Sequence, residues 1–181
     1  MDEQALRSLL SLESEKSIEK IQIFDEIDST NSESLRQIQS GSIENRVVVA
    51  AAQTAGRGRR GRQWLSPKNA GIYLSLTRRF SMEANALQAL SLVTAISVLD
   101  ALQEVGAQEL QLKWPNDVLH SGKKLAGILL ELQQKEGARF IVFGVGVNIA
   151  LSADSQASID RPVTDLNGII TDRKASCMGR V

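Results

Sequence analysis

A loop rich in glycine and arginine is the first segment of the sequence whose residue types suggest chemistry. Residues 56–62 read GRGRRGR, so that four arginines lie within seven residues. Glycines let backbone N–H groups approach an anion, and arginines add charge-assisted hydrogen bonds. The G-x-G-x-x-G spacing does not indicate a dinucleotide site, because the chain continues as loop to Pro67 and then enters a strand. The segment predicts a site for a phosphate or carboxylate, and an exposed solubilising or nucleic-acid-binding loop is the alternative.

A second group of polar residues lies around the segments KWPND (113–117) and GKKLAGILLEL (122–132). Pro115 fixes a turn, after which Asn116 and Asp117 present an amide and a carboxylate at the end of a strand. Lys124 begins the next strand, so that an ammonium and a carboxylate can meet at one site. A lysine there neutralises a substrate carboxylate and an attacked α-phosphate together, as acyl adenylation requires. A structural turn with solvated lysines is the alternative.

A third segment, GVGVN, covers residues 144–148 of a predicted strand. Its two glycines admit a planar ligand against the backbone. Asn148 both donates and accepts hydrogen bonds, as the edge of an adenine demands. A β-bulge without a ligand is the alternative explanation for this segment.

Charge is distributed unevenly along this chain of 181 residues, whose net charge is zero. Residues 46–81 contain eight lysines and arginines and no acid, whereas residues 1–45 contain ten acids and four bases. A local cationic segment in a neutral protein indicates one anionic ligand held at one place, because nucleic-acid binders usually carry a basic surplus across the domain.

The remaining composition is that of an ordinary globular protein, with 43% hydrophobic and 23% charged residues. No apolar run is long enough to cross a membrane, and the acidic N-terminus is unlike a secretory signal, so we expect a cytoplasmic protein. The single histidine, His120, and the single cysteine, Cys177, leave too few residues for a Cys/His zinc site. We expect His120 to be exposed and structural, and Cys177 to lie in a polar tail without a reactive role.

The pattern of apolar residues predicts an α+β fold with a mixed, largely antiparallel sheet and flanking helices. Strands are predicted over residues 18–27, 46–54, 71–80, 110–114, 118–120, 124–133 and 139–149. One helix is predicted after DSTN (28–31), which supplies N-cap residues, and it ends before Gly41. A second helix, over 84–105 and free of charge as far as Leu99, is predicted to be buried. We expect an N-terminal helical extension (1–17), one catalytic domain (18–151) and an irregular tail (152–181).

The motifs DSTN, QTAGRGRRGRQW, KWPND, GKKLAGILLEL and GVGVNI, in this order, resemble those of biotin protein ligases, and they extend over residues 23–149. The resemblance implies the class II synthetase-like biotin/lipoate ligase fold and two half-reactions. Biotin and MgATP would give biotinyl-5'-adenylate and pyrophosphate. A lysine of a biotin carboxyl carrier protein of acetyl-CoA carboxylase would then attack the mixed anhydride.

The resemblance also assigns roles to single residues. Hydroxyl and amide side chains would hold the ureido head of biotin: Ser29, Thr30, Asn31 and Gln53. The loop residues Arg57, Gly58 and Arg59 would close over the biotin carboxylate and the adenylate phosphate, and Gly56 and Gly127 belong to the same binding set. Trp64 would stack on adenine, Asn148 would face the adenine edge, and Lys124 would contact the reacting carboxylate and phosphate. Asp117 would be a Mg²⁺ or phosphate-side residue.

Other functions and features remain open at this stage. A lipoate-type acyl-adenylate ligase shares the fold and the chemistry, although GRGRRGR and KWPND favour biotin. A non-enzymatic nucleic-acid-binding module would use the arginine-rich loop alone. Because only a short segment precedes the first strand, we expect neither a DNA-binding winged helix nor repressor function. The family continues into a small SH3-like domain, so we expect a truncated chain, and the sequence leaves a homodimer open.

Overall fold

One mixed sheet organises the protein in the computed structural model, which describes residues 2–41, 45–80 and 87–170. Its strands are β1 (Lys20–Phe24), β2 (Arg46–Ala50), β3 (Gly71–Phe80), β4 (Leu110–Lys113), β5 (Asp117–His120), β6 (Lys123–Lys135) and β7 (Ala138–Asn148). The described helices are α1 (Glu3–Arg7), α2 (Leu12–Ser17), α3 (Thr30–Gln39), α4 (Leu87–Glu104) and α5 (Ala153–Ala157). No helix among these is both long and apolar enough to cross a membrane.

The strand order in the sheet is β1-β2-β3-β7-β6-β5-β4. Strands β1 and β2 are parallel, and the other neighbours are antiparallel, so the prediction of a mixed, largely antiparallel sheet is confirmed. Two tight turns produce the predicted hairpins. Positive φ angles occur at Ser121-Gly122 and at Glu136-Gly137, which is the conformation that two-residue hairpin turns require.

Helix α3 begins where the sequence DSTN predicts. The N-cap Ser29 accepts a hydrogen bond from the backbone N–H of Ser32, and Gly41 follows the helix with a φ of 92°. The helix buries Ile38 against Phe140 and Val142 of β7. These contacts hold the last turn of α3 against the sheet.

Helix α4 packs on the opposite face of the sheet, where Ala95 and Leu102 contact the buried side chains of Val118 and Ile128. The prediction that this helix is buried is wrong for one side. Leu92, Val93 and Ile96 are 37%, 57% and 42% exposed. The absence of charged residues therefore did not predict burial correctly. The first residues of the predicted helix, 84–86, lie outside the described part of the chain.

Within residues 152–170, part of the segment that was predicted as an irregular tail is helical. Helix α5 occupies part of it, and residues 166–170 are helical. The middle of the segment 152–170 pairs in parallel with the start of β6, where Val163 lies opposite Lys124. The buried carboxylate of Asp165 accepts hydrogen bonds from the backbone N–H groups of Leu151 and Gly168. Residues 171–181, with Cys177, lie outside the described residues.

The segment predicted as a helical extension contains α1 and α2. Arg7 of α1 lies 3.3 Å from the carbonyl oxygen of Ile18, and Arg78 of β3 donates to Ser17. These contacts join the N-terminal helices to the edge of the sheet. His120, at the end of β5, is partly exposed.

Candidate active site

A pocket lies on the sheet face that carries α3, between the start of this helix, the segment 53–66, and strands β6 and β7. Side chains alternate along a strand, so Gly127, Leu129 and Glu131 of β6 face this side while their neighbours face α4. The pocket brings together ten residues that were predicted from the sequence: Ser29, Thr30, Asn31, Gln53, Arg57, Gly58, Arg59, Trp64, Lys124 and Gly127. The predicted residues Gly56, Asp117 and Asn148 do not line it.

One end of the pocket is polar but uncharged. The backbone N–H of Thr30 donates to Gln53 Oε1 at 2.9 Å, and Gln53 Nε2 donates to Ser66 Oγ at 2.7 Å. Ser75, a buried residue of β3 that the sequence analysis missed, lies 2.8 Å from Thr30 Oγ1. Fixed hydroxyl and amide groups of this kind suit a neutral ligand with its own donors and acceptors.

Asn31 sits deeper, against strands β6 and β7. Its Nδ2 donates to Glu131 Oε2 at 2.9 Å. The Asn31 amide packs directly against the backbone at Gly144, where a Cβ atom would force this amide to move. Glu131 was missed from the sequence, although it is the one acid in the apolar stretch of β6 and acids are seldom buried without a partner.

The arginine loop, defined as residues 56–62, folds back on itself beside the pocket. Trp64 N donates to the Gly56 carbonyl at 2.9 Å, and Gly58 N donates to the Arg62 carbonyl at 2.7 Å. A Cβ atom at position 56 would lie 2.4 Å from the Trp64 carbonyl oxygen, so this glycine serves the packing of the loop. The loop thereby holds its arginines at the mouth of the pocket.

Two arginines of this loop contact the strands that bound the pocket. Arg57 Nη2 lies 2.7 Å from Glu131 Oε1, and Arg59 Nη1 donates to Asn116 Oδ1 at 3.1 Å. Asn116, which also lines the pocket, donates to the Ile128 carbonyl. This second end of the site is therefore cationic.

Gly127 of β6 and Gly146 of β7 accommodate the indole of Trp64, whereas the sequence predicted a planar ligand against Gly144 and Gly146. A Cβ atom would lie 2.5 Å from this ring at Gly146 and 2.9 Å from it at Gly127. Lys124 Nζ lies 5.1 Å from the ring centroid. Stacking of Trp64 on an adenine stays a prediction.

Lys124 carries its ammonium group to the same end of the pocket. Its Nζ lies 2.7 Å from Asp117 Oδ1, and the two side chains are 14% and 20% exposed. Burial lowers the pKa of Lys124, Asp117 acts in the opposite direction, and Arg161 and Arg62 add to the lowering. A poorly solvated ammonium among other cations is ready to bind an anionic group.

Two predicted residues have other contacts. Asp117 is paired with Lys124, and no group of three or more metal-ligating side chains occurs within the described ranges. Asn148 is 4% exposed, and its Nδ2 donates to the Thr164 carbonyl at 3.0 Å. Asp117 as a metal ligand and Asn148 at an adenine edge both stay predictions.

A pocket that is polar and uncharged at one end and lined by arginine and lysine at the other can hold a neutral ligand that ends in an anionic group. Comparison with known families agrees. Residues 23–148 match the model of the biotin/lipoate A/B protein ligase family, and the chain belongs to this family. The resemblance to biotin protein ligases and the predicted fold class are confirmed.

Curated relatives and solved structures point the same way. The chain is 40% identical over 153 residues to the bifunctional ligase/repressor BirA of Escherichia coli, covering 81% of this chain and 46% of that protein. It is 37% identical to the biotin–[acetyl-CoA-carboxylase] ligase of Mycobacterium tuberculosis, covering 96% and 65%. The chain thus spans about half to two thirds of the length of these relatives.

Among solved structures, the biotin protein ligase of Leishmania major in complex with biotinyl-5-AMP superposes with a TM-score of 0.69. The two sequences are 28% identical, and the match covers 85% of this chain and 66% of the other.

Proposed function

We propose that this protein activates biotin with ATP to form biotinyl-5'-adenylate and transfers the biotinyl group to a lysine of a biotin carboxyl carrier protein. The observation that carries the proposal is the two-ended pocket. Its neutral end offers hydroxyl and amide groups, and its other end offers Arg57, Arg59 and Lys124. Biotin has a neutral ureido ring at one end and a carboxylate at the other, so its chemistry matches both ends.

The first half-reaction joins two anions, which repel each other. A biotin carboxylate oxygen attacks the α-phosphorus of ATP, and the bond from that phosphorus to pyrophosphate breaks. Lys124 and Arg57 stand where they can bind the carboxylate and the α-phosphate together and so reduce the repulsion. MgATP is the substrate form, and Mg²⁺ arrives on its phosphates.

The second half-reaction releases AMP. The neutral amine of a carrier lysine attacks the acyl carbon of the adenylate, an amide bond forms, and AMP leaves with the electron pair of the broken C–O bond while the amine loses a proton. The name of the mycobacterial relative supports acetyl-CoA carboxylase as the source of the carrier.

Lipoate is the first competing substrate, because the family includes lipoate ligases. The dithiolane ring of lipoate has no N–H or carbonyl group. It could therefore exchange no hydrogen bonds with Ser29, Asn31 and Gln53, whereas a ureido ring both donates and accepts. The polar end of the pocket therefore favours biotin.

A nucleic-acid-binding module is the other competing function. It would need the arginine loop to face solvent as a free cationic surface. Instead, Arg57 pairs with Glu131 and Arg59 with Asn116 in the wall of a pocket. This placement favours one small anionic ligand.

Exchange of labelled pyrophosphate into ATP tests the proposal. We expect exchange that depends on biotin and is much weaker with lipoate at the same concentration. Exchange supported equally by lipoate would contradict the substrate, and the absence of exchange with either acid would contradict the reaction. Retention on immobilised nucleic acid that falls steeply with salt would support the binding module.

A further inference from the structure

One carboxylate, that of Glu131, joins the neutral end of the pocket to its cationic end. Glu131 Oε2 accepts from Asn31 Nδ2 at 2.9 Å, and Glu131 Oε1 accepts from Arg57 Nη2 at 2.7 Å. The Glu131 side chain is 20% exposed and the Arg57 side chain is 41% exposed, so the contact with Asn31 is the more shielded of the two. Each carboxylate oxygen therefore serves a different end of the site.

The contact with Asn31 fixes the orientation of its amide. Asn31 Oδ1 accepts a hydrogen bond from Ser75 Oγ, and Asn31 Nδ2 faces Glu131. Rotating the amide by 180° would place Oδ1 next to the Glu131 carboxylate, which has no proton to donate. It would also place Nδ2 next to the Ser75 hydroxyl, which donates a hydrogen bond in the present arrangement. The negative charge of Glu131 thus determines which group Asn31 presents to the pocket.

The contact with Arg57 orients the guanidinium and occupies only part of its capacity to donate hydrogen bonds. Within the described part of the chain, Nη2 is the one nitrogen of Arg57 that has a side-chain partner. A guanidinium has five N–H donors, so most of them stay available for another anion. The backbone of the loop places Arg57 beside the pocket, but its side chain is 41% exposed, and Glu131 is the one described side chain that orients its guanidinium.

We propose that Glu131 is a positioning residue that sets the preference of the pocket for a ligand that ends in a carboxylate. It does so by holding Arg57 next to the acid group of the ligand while it fixes Asn31 at the head group. This inference rests on the proposed function, because it takes biotin as the ligand. Glu131 would have this role although its negative charge is opposite to the charge of the cationic end of the pocket.

The variant Glu131→Gln separates this role from a general structural one. A glutamine has the same shape, but Asn31 and Arg57 donate to different oxygens of Glu131, so the NH2 group of a glutamine would face one of these two donors. Glu131→Asp keeps two acceptor oxygens on a shorter side chain. The matched control is Asp25→Asn, which makes the same charge change in an ion pair of the same length, 2.7 Å to Lys68, at an exposed place outside the pocket.

The experiment measures, by calorimetry, the affinities of each protein for biotin and for biotinol, the alcohol that has the same ring and chain but no charge. We expect the wild type to prefer biotin, and Glu131→Gln to reduce this preference by about tenfold or more, the range for one charge-assisted hydrogen bond. Glu131→Asp should retain more of the preference than Glu131→Gln, and Asp25→Asn should retain all of it. In an Arg57→Ala background, Glu131→Gln should leave the preference unchanged.

Two results would overturn the role of Glu131, and a third would overturn the proposed function. Equal weakening of both ligands in Glu131→Gln would show that Glu131 supports only the pocket as a whole. Tighter binding of biotin to this variant would show that Glu131 competes with the ligand for Arg57. Failure of the wild type to bind biotin at all would overturn the proposed function itself, and it is distinguishable because it requires no variant.

Discussion

Lys123 and Lys124 are adjacent lysines in opposite environments. Lys123 is exposed, whereas Lys124 is mostly buried and paired with Asp117. We expect Lys124→Ala to abolish biotin-dependent pyrophosphate exchange, because Lys124 is the one lysine among the described residues that line the pocket. Lys123→Ala, made one residue away, should keep wild-type exchange. Wild-type rates in Lys124→Ala, measured on protein with an unchanged circular dichroism spectrum, would show that Lys124 has no part in the reaction.

Arg59 and Arg60 form a second matched pair. Arg59 lines the pocket and donates to Asn116, whereas Arg60 is exposed and has no ion pair among the described residues. We expect Arg59→Ala to hold biotinyl-adenylate roughly 10- to 150-fold more weakly, the range for one charge-assisted contact. The released adenylate should then biotinylate a bystander such as albumin, while the carrier is still labelled. Bystander labelling by Arg60→Ala at the same level would place the clamp elsewhere in the loop.

The residues of the site differ in whether the neighbouring sequence indicates their role. Ser29, Asn31, Arg57 and Lys124 stand in short motifs, so their types and spacing could be interpreted from the sequence. Glu131 could not be assigned in this way, because its importance comes from two partners that lie 74 and 100 positions away in the chain. Long-range pairing of this kind depends on the register of the whole sheet.

At the scale of the elements, helix α3 begins beside the pocket, and Asp28 precedes its N-cap. Asp28 accepts from Arg36 at 2.7 and 2.8 Å, and this contact lowers the pKa of Asp28 from 3.8 to about 2. Because the pKa is lower in the folded protein, the resulting stability is present above about pH 4 and is lost as the pH falls toward 2. The pair is about half exposed, so we expect a contribution of about 1 kcal/mol or less.

Thermal unfolding between pH 5 and pH 2 measures this effect. The wild type should lose more stability than Asp28→Asn over this range, and high salt should reduce the difference because the pair is exposed. An equal loss of stability in both proteins would show that the Asp28–Arg36 pair does not stabilise the folded state.

The elements themselves were predictable where the signal is local. Alternating side chains and the turn residues at 121–122 and 136–137 marked β6 and β7, and β3 has the predicted bounds. Helix α4 was misjudged because a run without charges does not reveal that one side lacks a covering element. Residues 152–170 were misjudged because their order comes from pairing with Lys124 and Asn148, which no local pattern records.

At the scale of the whole molecule, that last segment holds the cationic end of the pocket in place. Asp165 accepts from the backbone N–H groups of Leu151 and Gly168 and is 8% exposed. We expect Asp165→Ala to cost about 1–3 kcal/mol, because buried donors lose their partner. For a chain of this size, the melting temperature should fall by roughly 2 to 12 °C. Asp160→Ala, at a position whose side chain is 81% exposed, should unfold at the wild-type temperature, and an equal fall in both variants would contradict this account.

The two tryptophans of the protein lie in different environments, so the fluorescence of one of them can report on the pocket. Trp114 is 68% exposed, whereas Trp64 lies against Gly127 and Gly146 in the wall of the pocket. Replacing Trp114 with phenylalanine leaves one indole as the source of emission. The emission maximum and quenching by iodide of that single indole would then report the occupancy of the pocket directly, without labelled substrates, and could be followed in a stopped-flow instrument as biotin and ATP arrive.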